Sequence, residues 1–261
     1  MNNVHVEGKV RTLMSITNVV TSPDEAGPRA HPAPVARFEN VSVSVGDEAK
    51  GPRGVSFALA PGSFHTLTGA PGGGKSAILR LLSLGARPAR GRIQIFGRDV
   101  FSLSRAESAA MRQRIGQVFP QMPFLDHLSV FDNAGLVPRL AGRKVDDYAG
   151  DVCEVLRWVG LGRRLHDRPS GLSAGERRSL TIARAVANRP EIVLADEPTA
   201  DLDPLSARRV LRLLAELAIA GTTVVLATSD DDLAGRCGAP ILHLHEGRMT
   251  LLEGPMPGFL A

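Results

Sequence analysis

The residues best suited to chemistry lie in a glycine-rich segment, "LTGAPGGGKSAIL", between two apolar stretches. Its spacing, a glycine, four residues and then Gly-Lys-Ser, is the pattern of a loop that cradles phosphate groups. Glycines let successive backbone N–H groups turn inward, and the following helix points its positive end at the same place. The lysine would neutralise β- and γ-phosphates, and the serine hydroxyl would ligate Mg²⁺. The residues of this loop are Gly69, Ala70, Pro71, Gly72, Gly73, Gly74, Lys75 and Ser76.

An acidic pair later in the chain complements this loop. The apolar run "IVLA" leads into Asp196, which is placed to hold the Mg²⁺ shell, and Glu197 follows as a candidate base for a water molecule. Such a pair is weak support for an active site by itself, but it is strong support when a phosphate loop precedes it. The sequence therefore predicts a site for Mg²⁺ and a polyphosphate. It leaves open whether the outcome is hydrolysis, phosphoryl transfer or binding alone.

Short apolar runs alternating with amphipathic stretches must position these residues. The runs "SFHTLTG", "IGQVF", "EIVLADE" and "TTVVLATS" are typical of buried strands, whereas "KSAILRLLSL" and "PLSARRVLRLLAELAIA" are typical of helices. This alternation predicts an α/β fold with a largely parallel sheet covered on both faces. Residues 129–159 are predicted to be largely helical, and "PILHLHEGRMTLLEG" to be a hairpin.

The first 36 residues differ in composition from the rest of the chain. They are rich in proline, alanine and charge and have no periodicity that would bury a face, so we expect a disordered extension over residues 1–36. The main domain is expected to span residues 37–253, with a helical insertion at about 120–175 and a short tail at 254–261.

Composition limits the possible function classes. The chain has 261 residues, and its net charge of +4 is expected of an ordinary solvated surface, so no nucleic-acid partner is expected. Its two cysteines, Cys153 and Cys237, form no metal-binding or disulfide pattern. No apolar segment reaches the ~18 residues that cross a bilayer, and no signal peptide is seen. We therefore expect a cytoplasmic protein that reaches the inner face of the membrane only through a partner.

The segment "LSAGERRSLTIARAVANRPEIVLADEPTADLD" resembles the signature-to-D-loop block of ABC-transporter ATPases. The resemblance implies a P-loop NTPase of the ABC type, whose mostly parallel core sheet carries an antiparallel β subdomain and a helical subdomain. It also implies ATP as the nucleotide and a homodimer that forms head-to-tail on ATP binding. In such a dimer Ser173 and Gly175 complete the γ-phosphate site of the opposite subunit, and Asp203 is the D-loop aspartate.

Two further segments narrow the resemblance within that superfamily. "RFENVSV" and "FLDHLSVFDNAGL" look most like the FtsE group of cell-division ATPases, which pair with the integral membrane protein FtsX. An FtsX-like permease subunit is thus the implied partner. Lipoprotein-release and macrolide-export ATPases are close relatives and remain alternatives.

Two departures from the family pattern affect nucleotide contacts. Counting from "RFENVS", Val45 stands where the family has an aromatic residue that stacks on adenine. Because base stacking is worth roughly 1–3 kcal/mol, we expect adenine to be held less tightly and less selectively. In "GQVFPQM", Pro120 occupies the position of the family glutamine, and Gln121 follows one place later. Since one step along an extended chain reverses side-chain direction, Gln121 replaces the missing amide only if the loop bends.

Two more departures concern the signature and the switch. In "LSAGE" the first signature glycine is Ala174, which would be strained by about 1 kcal/mol if its φ were positive. In "LATSDD" Ser229 stands where the family has the switch histidine that contacts the γ-phosphate and the attacking water. A serine is shorter than a histidine and cannot carry a positive charge.

These departures predict an impaired ATPase. The groups that hold phosphate and Mg²⁺ are kept, and Lys75, Glu197 and the degenerate switch residue Ser229 are the candidate catalytic residues. Because losing one preorganised donor to a transition state typically costs ~10² to 10³ in turnover, we expect slow hydrolysis rather than none. A nucleotide-binding scaffold with negligible turnover and the ATPase of an exporter are the alternatives. A soluble ABC protein acting on DNA or the ribosome is a third class, but this chain lacks the second cassette or long coiled coil that such proteins usually have.

Overall fold

Two β-sheets and a set of helices position the residues singled out above. The structure is a computed structural model that describes residues 32–43, 51–120 and 122–252. From Ala33 onward, these residues belong to one unit of the chain. Several positions discussed above lie outside the described residues. They are most of the expected extension, the tail at 254–261, Val45 and Gln121.

The larger sheet has six strands in the order β10-β9-β3-β8-β7-β6. Strands β9, β3, β8, β7 and β6 pair in parallel, whereas β10 joins the edge as an antiparallel hairpin with β9. The prediction of a largely parallel core sheet is confirmed. Every residue of β3 and β8 is buried, as expected of strands covered on both faces. The strands of this sheet are β3 (Phe64–Thr68), β6 (Ile115–Val118), β7 (Ile192–Asp196), β8 (Thr223–Ala227), β9 (Ile241–His245) and β10 (Arg248–Leu252).

The smaller sheet has four antiparallel strands in the order β2-β1-β4-β5. It is the antiparallel β subdomain that the resemblance implies. Its first strand begins at Ala36, one residue before the expected start of the main domain. The strands of this sheet are β1 (Ala36–Ser42), β2 (Val55–Leu59), β4 (Arg90–Ile95) and β5 (Arg98–Asp99).

Eight α-helices connect the strands within the described residues. Several begin at side chains that accept hydrogen bonds from the first turn, such as Ser104, Ser129, Ser173 and Asp203. One short helix, α8, lies where the sequence analysis predicted no element. The helices are α1 (Lys75–Leu82), α2 (Arg105–Arg112), α3 (Val130–Ala134), α4 (Leu136–Leu140), α5 (Val145–Trp158), α6 (Ala174–Val186), α7 (Pro204–Ile219) and α8 (Asp231–Arg236).

Two hydrophobic cores hold these layers together. One contains α3, α5, α6 and α7 side chains, such as Leu156 and Leu180, packed with buried residues of the large sheet. The other contains residues of the small sheet and of α1, such as Phe38 and Ile78, packed with the remaining large-sheet residues. Because both cores contain strand residues from β3, β7 and β8, these strands are fixed from either side. None of the described helices is long and apolar enough to cross a membrane.

Three adjacent strands of the large sheet end at the same edge. Strand β3 pairs with β8, and β8 pairs with β7, all in parallel. The register sets Leu67 and Asp196 opposite Ala227. The residues that follow each strand, namely the glycine-rich loop, Glu197 and the pair Thr228–Ser229, are therefore brought together.

Candidate nucleotide-binding site

The glycine-rich loop joins β3 to α1 and depends on residues without side chains at two points. Gly69 has φ 141° and Gly74 has φ 105°, both in the region that favours glycine. A Cβ on Gly69 would collide with the carbonyl of Leu244, and one on Gly74 would collide with the ring of Pro52. The loop is therefore held close to β9 and to the segment before β2. Ala70, Pro71 and Gly72 at its tip are exposed.

Lys75 begins α1 directly after the loop and points back into it. Its ammonium group donates hydrogen bonds to the carbonyl oxygens of Gly69, at 2.6 Å, and Ala70, at 3.3 Å. The side chain is only 7% exposed, and no acidic side chain forms an ion pair with it among the described residues. A buried ammonium with only carbonyl partners is suited to receive a polyanion.

Ser76 and Asp196 meet across the edge of the sheet. The Ser76 hydroxyl donates to Oδ2 of Asp196 at 2.8 Å, although 120 residues separate them in sequence. A hydroxyl and a carboxylate are the hard oxygen ligands that Mg²⁺ uses beside phosphate and water. Within the described ranges there is no cluster of three or more His, Cys, Asp or Glu side chains that could hold a metal by itself. The donors therefore fit a magnesium ion that is shared with a bound phosphate.

Glu197 follows Asp196 in a strained backbone conformation. Its φ is 43°, in the left-handed region that costs a non-glycine residue roughly 1–2 kcal/mol. Its N–H donates to the Ala227 carbonyl at 2.9 Å, which continues the pairing of β7 with β8 for one residue. Strain of this kind persists where surrounding contacts over-determine the geometry, as at many functional sites.

Ser229 and Thr228 contact the Glu197 carboxylate directly. The Ser229 backbone N–H and hydroxyl each donate to Oε1 of Glu197 at 2.7 Å. The Thr228 hydroxyl donates to Oε2 at 3.1 Å. Sequence analysis placed Ser229 at a degenerate switch and did not single out Thr228. The predicted parallel sheet was the available signal, but the contact also depends on the register of β7 with β8, which the structure provides.

The signature and D-loop residues form a second group around the first turns of α6 and α7. Ser173 is the N-cap residue of α6, and its hydroxyl accepts a hydrogen bond from the N–H of Glu176 at 3.2 Å. Gly175 lies so close to Ser206 that a Cβ on Gly175 would collide with the Ser206 hydroxyl. Asp203 is the N-cap residue of α7 and accepts hydrogen bonds from the backbone N–H groups of Leu205 and Ser206, at 3.0 Å each. The hydrogen bonds from Ser206 are the main cause that lowers the pKa of Asp203.

This second group makes no polar contact with the phosphate loop within the described part of the chain. Among the residues that the structure describes, no hydrogen bond or ion pair joins Ser173, Gly175 or Asp203 to residues 69–76. Ala174 is the first residue of α6 and is absent from the described residues with positive φ, so the alanine carries no backbone strain. The strain expected for a positive φ at Ala174 is therefore absent.

Pro120 lies at the rim of a groove between the end of β6 and the helices. The groove has a volume of about 580 Å³, and Asp126, Arg177, Arg178 and Asp201 also line it. Pro120 is exposed, and the neighbouring Gln121 lies outside the described residues, as does Val45. The structure thus places the altered glutamine position at this groove.

Two buried side chains shape the segment that borders the groove. The Arg184 guanidinium, 7% exposed, donates to the carbonyls of Met122, at 3.2 Å, and Pro123, at 2.8 Å. Burial lowers the pKa of Arg184. Asn133, fully buried, exchanges hydrogen bonds with both backbone groups of Leu125. The loop before α3 is therefore fixed, and Asp126 projects from a defined position.

Comparison with known proteins agrees with this geometry. Residues 52–200 match the family profile described as ABC transporter. The cell division ATP-binding protein FtsE of Escherichia coli strain K12 is 37% identical over 213 residues, which cover 82% of this chain and 96% of that protein. The macrolide export ATP-binding/permease protein MacB of Chlorobium luteolum is 36% identical over 212 residues, which cover 78% of this chain and 32% of that protein.

A solved structure shares the fold. The ATP-binding cassette MJ0796, a dimer in a post-hydrolysis state bound to ADP and Pi, has a TM-score of 0.75 at 29% identity. The match covers 86% of this chain and 100% of that one. The predicted resemblance to FtsE and the predicted ABC-type fold are confirmed. The chain therefore belongs to the ABC transporter family as an ATP-binding, P-loop NTPase homologous to FtsE.

Proposed function

We propose that this chain is the ATP-binding subunit of an FtsE–FtsX-like membrane complex that acts in cell division. It binds Mg²⁺–ATP in the loop at 69–76 and hydrolyses ATP slowly. The observation that carries the proposal is the meeting of the phosphate loop, the Ser76–Asp196 pair and Glu197 at one edge of the sheet. Similarity to the cell division ATP-binding protein FtsE over 96% of that protein's length supports the division role.

ATP fits the residues present. Lys75 would exchange its carbonyl partners for β- and γ-phosphate oxygens, and backbone N–H groups of the loop would complete the cradle. Ser76 and Asp196 would hold Mg²⁺, which supplies charge neutralisation at the phosphates. The post-hydrolysis cassette bound to ADP and Pi supports ATP as the substrate.

Hydrolysis requires that a water oxygen form a bond to the γ-phosphorus. The bond from that phosphorus to the bridging oxygen breaks, ADP leaves with the electron pair, and the water proton passes to a base. Glu197, half-buried at the end of β7, is the carboxylate placed for that role. Lys75 stabilises the charge on the phosphates as the bond breaks.

Turnover is slow in this account because two positions no longer carry the usual donors. Pro120 provides neither an amide side chain nor a backbone N–H at the groove rim. The Ser229 hydroxyl is engaged with Glu197, so it does not supply the phosphate contact of a histidine. A scaffold with negligible turnover is the second candidate, and the same two positions favour it.

The second group of residues supports a homodimer that forms on ATP binding. Among the described residues, Ser173 and Gly175 form no hydrogen bond to the loop of their own chain, and Gly175 lies against Ser206 in the helix that Asp203 caps. In a head-to-tail dimer they would face the γ-phosphate held by the other subunit. The dimeric state of the related cassette supports this arrangement.

The membrane partner is proposed to bind the groove lined by Pro120, Asp126 and Arg177. A short cytoplasmic helix of an FtsX-like permease would fit, because the lining combines apolar side chains with both acidic and basic ones. This contact would place the chain at the inner face of the cell membrane. Similarity to the macrolide export protein MacB keeps a transport complex as the alternative.

Reversing the charge of one groove residue tests whether the groove binds the membrane partner. Asp126→Lys should lower the amount of chain that co-purifies with an FtsX-like permease from the same genome by about tenfold, since like charges placed at an interface are unfavourable. ATP binding should not change, because Asp126 is exposed at the groove and forms no hydrogen bond to the phosphate loop among the described residues. The matched control is Glu154→Lys, an exposed reversal on α5 outside the groove lining. Equal recovery of the two variants would place the interface elsewhere.

A further inference from the structure

The Glu197 carboxylate is held by three donors from two consecutive residues. Oε1 accepts from the Ser229 N–H and from the Ser229 hydroxyl, and Oε2 accepts from the Thr228 hydroxyl. We call Thr228 and Ser229 the hydroxyl clamp. Hydrogen bonds to an ionised group are roughly twice as strong as those between neutral groups, so these contacts fix the carboxylate in one orientation.

Thr228 is itself fixed at the end of β8. It is fully buried, and its backbone N–H donates to the Leu67 carbonyl on β3 at 3.0 Å. Its hydroxyl accepts from the Asp230 N–H at 3.1 Å while it donates to Glu197. Because the Asp230 N–H occupies an acceptor position of the hydroxyl, the hydroxyl proton is directed at the carboxylate. The clamp thereby ties Glu197 to the strand that carries the phosphate loop.

The number of occupied lone pairs identifies the carboxylate atom that remains available. A carboxylate has about four acceptor positions, two on each oxygen. Oε1 of Glu197 uses two of them for Ser229, and Oε2 uses one for Thr228. One acceptor position is left, on Oε2, and a water molecule that gives up a proton would bind there.

We propose that the hydroxyl clamp positions Glu197 for hydrolysis, with Oε2 as the atom that accepts the water proton. The inference rests on the proposed function. Ser229 is then a positioning residue rather than a lost switch, since its hydroxyl acts on Glu197 and not on the phosphate. A glutamate with strained backbone, φ 43°, depends on such contacts to keep its side chain in place.

The test compares three residues at position 229 in single-turnover hydrolysis of Mg²⁺–ATP. Ser229→Ala removes one donor and should lower the rate constant by about tenfold, within the ~10²-fold that a 1 Å misplacement can cost. Ser229→Thr keeps the hydroxyl and should restore the rate to within about threefold of the wild type. The dissociation constant for ATP should stay within about twofold in both, because Glu197 is the hydrogen-bond partner of this hydroxyl among the described residues. Ser102→Ala, which removes a hydroxyl bonded to the Asp99 carbonyl, is the matched control.

A mutant cycle separates positioning from other roles. In a Glu197→Ala background, Ser229→Ala should have no further effect on hydrolysis, because the group that it positions is gone. An equal loss in both backgrounds would mean that the hydroxyl acts on the nucleotide, and would overturn the proposal. A Ser229→Ala variant as fast as the wild type, or faster, would overturn it as well.

A readout without turnover keeps the clamp testable if the chain does not hydrolyse ATP. The four proteins of the mutant cycle are the wild type, Ser229→Ala, Glu197→Ala and the double variant, and each is melted without nucleotide. Ser229→Ala should lower Tm by about 2–4 °C more in the wild-type background than in Glu197→Ala. Additive Tm shifts would overturn the clamp. Coupled shifts in a protein without turnover would leave the clamp in place and count against the proposed ATPase function instead. Ser229 is exposed, so its variants are suited to the test, whereas Thr228 is fully buried and Thr228→Val risks misfolding.

Discussion

Replacing Lys75 with alanine should abolish ATP binding as seen by calorimetry. The Lys75 ammonium lies inside the loop, 2.6 Å from the Gly69 carbonyl oxygen. Within the described part of the chain it forms no ion pair that would have to be broken when phosphate enters. Hydrogen bonds to charged groups contribute about 1.5–3 kcal/mol each. Losing the two bonds that Lys75 would donate to the β- and γ-phosphates therefore predicts at least about a hundredfold loss of ATP affinity.

The matched control for this variant is Lys144→Ala, at an exposed lysine before α5. It should bind ATP like the wild type. The melting temperature of each variant shows whether the loop remains folded. Binding of equal strength by the wild type and by folded Lys75→Ala protein would contradict the assignment of the phosphate site.

The combined variant Ser229→His and Pro120→Gln should hydrolyse ATP at least about tenfold faster than the wild type. Histidine at 229 would add a γ-phosphate contact, and glutamine at 120 would supply an amide to order water and Mg²⁺. The gain asked for is modest beside the ~10² to 10³ that one transition-state donor can contribute. Thr228 and the backbone N–H at 229 would still hold the Glu197 carboxylate.

Affinity for ATP should barely change in the combined variant, since the restored contacts strengthen mainly in the transition state. Phosphate release under saturating ATP gives the rate, and calorimetry gives the affinity. We expect Ser229→Ala to hydrolyse ATP most slowly, the wild type to be faster, and the combined variant to be the fastest. A combined variant no faster than the wild type would mean that other groups already contact the γ-phosphate and order the water. It would also be the result if ATP only holds the two subunits together.

Sequence patterns predicted the fold and the position of the glycine-rich loop between a strand and a helix. The spacing of Gly69, Gly74 and Lys75 depends on local backbone geometry, which sequence encodes directly. The alternation of apolar strands with helices was sufficient to predict a largely parallel sheet, and the structure shows that Asp196 and the loop share one edge of it. The short helix α8 was missed because its six residues include too few apolar ones to show a helical period.

The contacts made between strands were beyond the sequence argument. Thr228 and Ser229 reach Glu197 through the register of β7 with β8, and nothing in the local sequence specifies that register. Likewise, Arg184 holds the Met122 carbonyl across 62 residues of sequence. These interactions depend on tertiary packing.

The most direct test is phosphate release from Mg²⁺–ATP by the purified chain together with the proposed FtsX-like permease. The measurement compares the wild type with Glu197→Gln, which keeps the size of the side chain and removes the base. We predict slow release by the wild type that is at least about tenfold above the Glu197→Gln background and that is lost when Mg²⁺ is chelated. Release equal to that of Glu197→Gln, or release that persists without Mg²⁺, would contradict the claim that this site hydrolyses ATP.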